Sequence, residues 1–324
     1  MSTGQISLGI IIFYLVAMLV ITICNGRKKK QKSAEGFFLA NRGVSSVLLP
    51  LTMIAAMQST FAFLGAPGMY YTHGIPYIVM VLSQVWVALM VVYFGNKIRI
   101  LAKKKGYMSL GDYLQDRFNS KYLKVLASCI SVLMTMVFLS MQYVGNARAM
   151  SIVSGNAISY TAAIIVSILF SLMYVLIGGA GGVVLLDAIQ AIILMVGIVL
   201  AAWIAIAPVG GIKELFTGII NQAPEMLSRP GAQGLYTDKY WIMQFLVLPF
   251  GIWFCPHIWS KSLMAKDEDA IAKSAISIPV SQILIYGVAT LFIGLAGHLL
   301  ATPEQVGAAD NILPVLMLCI PTGW

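Results

Sequence analysis

Eight blocks of apolar residues, each long enough to cross a bilayer, constrain this chain more than any other feature. They run over residues 6–24, 44–70, 75–95, 125–145, 161–177, 183–207, 240–258 and 276–300, and a short apolar tail, 312–320, follows. A bilayer's hydrocarbon core takes about 20 apolar residues of helix. Lipid also accepts only backbone whose hydrogen bonds are satisfied internally. Blocks of this length in series predict an all-α polytopic membrane protein. Composition agrees, since 59% of the 324 residues are hydrophobic and 10% charged, against roughly 25% charged in soluble domains. The block at 6–24 is too long for the apolar part of a signal peptide, and its charges follow it, so it reads as a first span. Cys24, Cys129, Cys255 and Cys319 show no metal-site spacing and read as small hydrophobes.

The net charge of +9 belongs to membrane topology and not to nucleic acid, because the basic residues sit in short runs between the apolar blocks. With the N-terminus outside, cytoplasmic connections hold six Lys or Arg in 25–43, eight in 96–124 and three in 259–275. External segments hold only Arg148, Lys213, Arg229 and Lys239. That asymmetry places the 27-RKKK-30 and 103-KKK-105 runs inside. The expected location is therefore the plasma membrane, as a multi-pass protein with an external N-terminus.

Two blocks carry helix breakers. The second holds Gly65, Pro67 and Gly68, and the seventh holds Pro249, Gly251 and Pro256. Broken spans at matching places of two repeats mark binding sites in secondary transporters, where freed carbonyls coordinate cations. Glycine and proline also occur in membrane helices as plain kinks. The breaks lie five spans apart, and an odd-numbered repeat inverts its second copy across the membrane.

Of the twelve acids, only Asp187 falls within an apolar block, in 183-VVLLDAIQ-190. An intramembrane carboxylate costs at least about 2.5–3.5 kcal/mol, so it reads as a cation site or coupling group. The alternative is a cap on the amides around 178-GGAGG-182. Gln190 shares its helix face. Gln58, Ser59 and Thr60 beside the first break, Ser83 and Gln84 in the third block, and Ser140 and Gln142 in the fourth supply the polar groups of a small pocket. Each also reads as glue between helices. His257 reads as an interface residue or a proton relay, and Trp253 and Trp259 as pocket wall or interfacial belt, the belt being favoured for Trp259 beside Lys261. No Ser-His-Asp order, HExxH, P-loop or paired carboxylate points to an enzyme. The external stretch 208–239 yields no role.

The segments 33-SAEGFFLANRGVSS-46, 51-LTMIAAMQST-60, 63-FLGAPGMYYTHG-74, 109-SLGDYLQDRFNSKYLK-124, 174-YVLIGGAGGVVLLDAIQ-190 and 260-SKSLMAKDEDAIAKSA-275 together resemble the sodium/solute symporter family. That family includes sodium–proline, sodium–pantothenate, sodium–sialic acid and sodium–sugar carriers. The resemblance implies a LeuT-type five-plus-five inverted-repeat fold with one extra N-terminal helix. It implies residues 1–43 as that helix and a basic loop, 44–207 as the first repeat, 208–239 as an external loop and 240–324 as the start of the second. By position it assigns sodium to the carbonyls of Ala55 and Gln58 and to Asp187. It assigns solute to Ser59, Thr60, Gln84, Gln142 and the 248–253 region with Trp253. Leu186 stands where the family has threonine, Lys261 where it has arginine, and Val81 where sugar carriers have glutamate, which speaks against a hexose.

The expected function is sodium-coupled symport of a small polar organic solute or organic anion by alternating access, with Na+ as coupling ion and no organic cofactor. A sensor input domain built on the same module is the alternative. The chain ends at 321-PTGW-324, before the position of the eighth core helix, so the expectation is a fragment or truncated product with an incomplete second repeat.

Overall fold

The computed structural model describes residues 3–28 and 33–319, with side chains over 5–25 and 33–317. The 27-RKKK-30 run, the Cys319 side chain, the end of the apolar tail and 321-PTGW-324 lie partly or wholly outside the described residues. Helix α1 spans Thr3–Lys28. The second apolar block is three helices, α2 (Leu48–Met57), α3 (Thr60–Phe63) and α4 (Gly65–His73). The expected break at Gly65–Gly68 falls earlier, at Gln58 and Ser59. Ser59 is extended, and its hydroxyl accepts from the Phe61 amide as an N-cap. Pro67 sits in the first turn of α4, where a missing N–H costs no helical bond.

Helix α5 covers Ile75–Lys105 and widens to a π-helical turn at Val91–Gly95. Short α6 (Leu110–Phe118) precedes α7 (Lys121–Val153) and α8 (Tyr160–Ile206). The 47 residues of α8 would stretch about 70 Å as one rod, more than twice the hydrocarbon thickness. Gly179 interrupts it at φ 51°, ψ −163°, a conformation open essentially to glycine alone. The two spans expected at 161–177 and 183–207 are thus joined without a loop. After α9 (Ile212–Gln222), α10 (Asp238–Trp253) meets α11 (Pro256–Met264) at a 56° bend. Pro256 opens α11 at the position where proline fits best. Helix α12 (Glu268–Leu300) carries a second π-helical turn, Ile283–Ala289, and α13 (Ile312–Cys319) ends the described chain.

Among the described residues, five helices qualify as spans by length and composition, and the bent α10–α11 pair makes six. Counting the broken α2–α4 segment and dividing α8 at Gly179 restores the eight expected. Breaks in the second and seventh spans are followed by π-helical turns in the third and eighth, at similar distances from the helix start. The spacing of five therefore appears twice.

The chain packs as two compact units, Met1–Met57, Ala88–Ala191 and Ile252–Ser277 in one, and Gln58–Val87, Ile192–Gly251 and Ile278–Trp324 in the other. In the first, an isolated parallel bridge joins Val44 to Ala265, with Val44 N donating to Met264 O at 3.1 Å and Lys266 N to Val44 O at 3.0 Å. Ser109 and Asp112 form a capping box on α6, and Lys124 approaches Asp112 at 2.8 Å. Partial burial alone would raise the Asp112 carboxyl, but Lys124, the Met108 amide and the Ser109 hydroxyl outweigh it and hold it below the usual range.

The second unit is built on an apolar core that includes Tyr70, Ile198, Leu215, Ile219, Met226 and Ile293. The stretch 208–239 has a structural role here. Leu215, Ile219 and Met226 are fully buried, and Tyr236 stacks edge-on to His73 and Tyr77. Helix α12 passes very close to α4, because Gly294 has no Cβ to meet Pro67 O and Tyr70.

Candidate functional site

Asp187 lies about two turns beyond Gly179. Only the first turn of a helix presents unpaired amides, so the capping alternative for Asp187 does not hold. Its carboxylate instead meets two side chains of the same unit that are remote in sequence. Lys261 Nζ on α11 stands 2.7 Å from Asp187 Oδ2 and donates to Thr52 Oγ1 on α2 at 2.6 Å. The Thr52 hydroxyl donates to that same Oδ2 at 2.5 Å. Each group uses the role open to it, since ammonium only donates, carboxylate only accepts, and hydroxyl does both. The triangle is well screened from solvent, with Thr52 at 0%, the Lys261 side chain at 9% and that of Asp187 at 19% exposure.

Three helices hold this triangle. Thr52 is mid-helix on α2, Asp187 is carried by the part of α8 that restarts after Gly179, and Lys261 follows the bend before Pro256. From sequence, Lys261 belongs with the loop charges of 259–275; the structure buries its ammonium against Asp187 and Thr52 instead. The available signal was the rule that an intramembrane carboxylate needs a named partner, together with the presence of Lys261 in the apolar run 252-IWFCPHIWSKSLM-264. Thr52 gave no signal of its own.

Gln190 points elsewhere, donating to the Tyr14 hydroxyl on α1 at 2.9 Å, and so ties the extra N-terminal helix to α8. His257 stacks on Phe138 with ring centroids 4.5 Å apart, as an interface residue does. Trp259 is 3% exposed, which replaces the interfacial-belt expectation with a packed position. Trp253 is 1% exposed, its ring in van der Waals reach of Gly95 in the π-helical turn. Ser140 spends its hydroxyl on Met136 O of its own helix, and Gln142 is half-buried on α7. Ala55 lies in the last turn of α2, where carbonyls have no partner further along the helix.

Within the second unit, Gln58, Ser59 and Thr60 occupy the gap between α2 and the end of the first turn of α3, and Gln84 lies on α5. Gln58 is 7% exposed, yet neither atom of its amide has a hydrogen-bond partner. Gln84, 1% exposed, donates to Met80 O at 3.1 Å and leaves its Oε1 unpartnered. Ser83 is satisfied by Met80 O. Buried polar groups are normally paired, so the two glutamines, like Tyr70, His73 and Tyr77 of the same unit, carry open hydrogen-bonding atoms.

Residues 37–319 match the model of the sodium:solute symporter family. The chain belongs to that family. It is 26% identical to the sodium/pantothenate symporter of Haemophilus influenzae over 87% of this chain and 57% of that protein. It is also 26% identical to the sodium/pantothenate symporter of Escherichia coli, over 86% of this chain and 58% of that one. For the sodium/glucose cotransporter of Vibrio parahaemolyticus the identity is again 26%, over 99% and 63%. The chain thus spans about three fifths of the length of these relatives. A solved Na+-coupled sialic acid symporter, in a substrate-bound outward-open state, superposes with a TM-score of 0.80 at 19% identity, covering 97% of this chain and 67% of that one. The fold is of the LeuT type, and the protein is a multi-pass membrane protein.

Proposed function

We propose that this chain carries out, or forms part of a protein that carries out, sodium-coupled symport of a small polar organic solute or organic anion by alternating access. It is not an enzyme. The observation that supports the reading best is the break in the second span at Gln58 and Ser59, which interrupts the helical hydrogen-bond ladder and carries a buried, unpartnered Gln58 amide. Carbonyls freed in this way suit Na+, and unpaired amides suit a polar solute. Sodium is assigned to the carbonyls of Ala55 and Gln58, with Asp187 as the coupling carboxylate. Solute is assigned to Ser59, Thr60, Gln84 and the Gln58 amide, and Gln142 and Trp253 are retained from the family resemblance alone. The Lys and Arg distribution supports a plasma-membrane protein with an external N-terminus.

The test is uptake of labelled proline, pantothenate, sialic acid and short carboxylates into vesicles containing the protein, with and without an inward Na+ gradient. Saturable uptake that needs the gradient is expected for at least one solute. Uptake that ignores the gradient, or binding of a solute without transport, overturns the symporter reading.

A further inference from the structure

The Thr52–Asp187–Lys261 triangle goes beyond a cation site, because its cation is already built into the chain. We propose that Lys261 is a tethered rival of the coupling ion, so that Na+ reaches Asp187 only when the Lys261 ammonium withdraws. The inference rests on the sodium-coupled reading above.

The geometry carries it. Thr52 Oγ1 and Asp187 Oδ2 are two oxygen donors 2.5 Å apart, and the ammonium sits on both, at 2.6 and 2.7 Å. Hard oxygen donors of this kind are what a small hard cation takes. The same donors cannot serve an ammonium and a metal ion at once, so each cation weakens the other's hold by the same factor. Lysine fits the role chemically. It is a compact charge on a flexible four-carbon stem, whereas arginine would grip the carboxylate with a rigid two-pronged fork. Its position also fits, because Lys261 sits on the nine-residue α11, just past a 56° bend. A small change at that bend moves the ammonium without disturbing Asp187 on α8. Lys261 is thus a positioning and selectivity residue that acts through Asp187.

The experiment is a Na+ titration of the purified protein in detergent, read as the shift in thermal unfolding, with N-methylglucamine chloride holding ionic strength constant. A ligand that binds the native state raises its unfolding temperature with concentration. In K261M the carboxylate is free, and the Na+ dissociation constant should tighten roughly tenfold or more, as expected when a competent state goes from sparsely to fully populated. K261R keeps the charge and should bind Na+ more weakly than the wild type. In D187N, adding K261M should leave the Na+ constant unchanged, whatever it does to the unfolding temperature without Na+. A merely structural Lys261 would lower stability in both variants but leave the Na+ constant unmoved, and that result overturns the inference. If K261M does not fold, K261R decides alone, and an unchanged Na+ constant there is equally fatal. Absence of any Na+ response in the wild type removes the sodium-coupled reading itself, and this inference with it.

Discussion

Gly294 offers a direct test of how tightly α4 and α12 are packed. A Cβ at Gly294 would stand 2.6 Å from Pro67 O, 2.5 Å from Tyr70 Cβ and 2.9 Å from Tyr71 N. Carbon and oxygen ordinarily stay beyond about 3.3 Å, so the two helices would have to part by about 0.7 Å. Two of the three obstructing atoms are backbone, which no rotamer change can relieve. Overpacking of this kind costs about 1–3 kcal/mol, and the better helix propensity of alanine returns about 1 kcal/mol at most. With that return in full, Gly294→Ala should still lose up to about 2 kcal/mol. Gly197 on α8 is the control, since a Cβ there meets nothing within 4 Å. The same substitution at Gly197 should be neutral or gain up to about 1 kcal/mol. Chemical unfolding of both variants in one detergent, followed by tryptophan fluorescence, measures the difference directly. If G294A is as stable as G197A, the close approach of α4 to α12 is not real.

The buried charge pair makes a second prediction. D187N and K261M alone should each cost about 3–5 kcal/mol, because each strands a charge, while the double variant should recover most of that loss; additive losses in the unfolding midpoints would show that the two groups do not interact. Gln58→Leu should leave stability unchanged or raise it by about 1–3 kcal/mol, since it removes an unpaired buried amide. The same variant should lose solute uptake, and retained uptake with a normal Michaelis constant would remove Gln58 from the solute site. Asp112 has a folded pKa below its unfolded value, so its contribution is complete above the unfolded pKa and lost as pH falls through the folded one. Stability should therefore fall from about pH 5 downward. D112N, which also weakens the cap by about 0.5–2 kcal/mol, should flatten that acid limb, and an unaltered slope would contradict the assignment.

The spans were legible because hydrophobic run length is a local property, and lipid enforces it segment by segment. The spacing of five was legible because breakers at Pro67 and Pro256 mark two spans directly. The exact break was not, since proline signals a disturbed helix but tolerates the first turn, and the weaker signal, the Ser59 cap, decides where the chain departs from helix. Asp187 stood out by cost alone, whereas its partners did not. Lys261 is 74 residues away and Thr52 is 135 away, and nothing in a local pattern pairs them. A charge tally treats every lysine near an apolar block as solvated, and Lys261 was lost in that average. Trp259 was misplaced for the same reason, because aromatic residues near a lysine look alike at a membrane surface and in a packed interior.

The π-helical turns at Val91–Gly95 and Ile283–Ala289 change what the gene can tolerate. A π turn holds one residue more than the α-helix around it. Deleting a codon inside either turn would convert it to ordinary helix and leave both flanking stretches facing their present neighbours. A codon deleted elsewhere in α5 or α12 would rotate everything downstream by about 100° and turn the packed face toward lipid. These two short segments are the places where α5 and α12 can shorten without being scrambled.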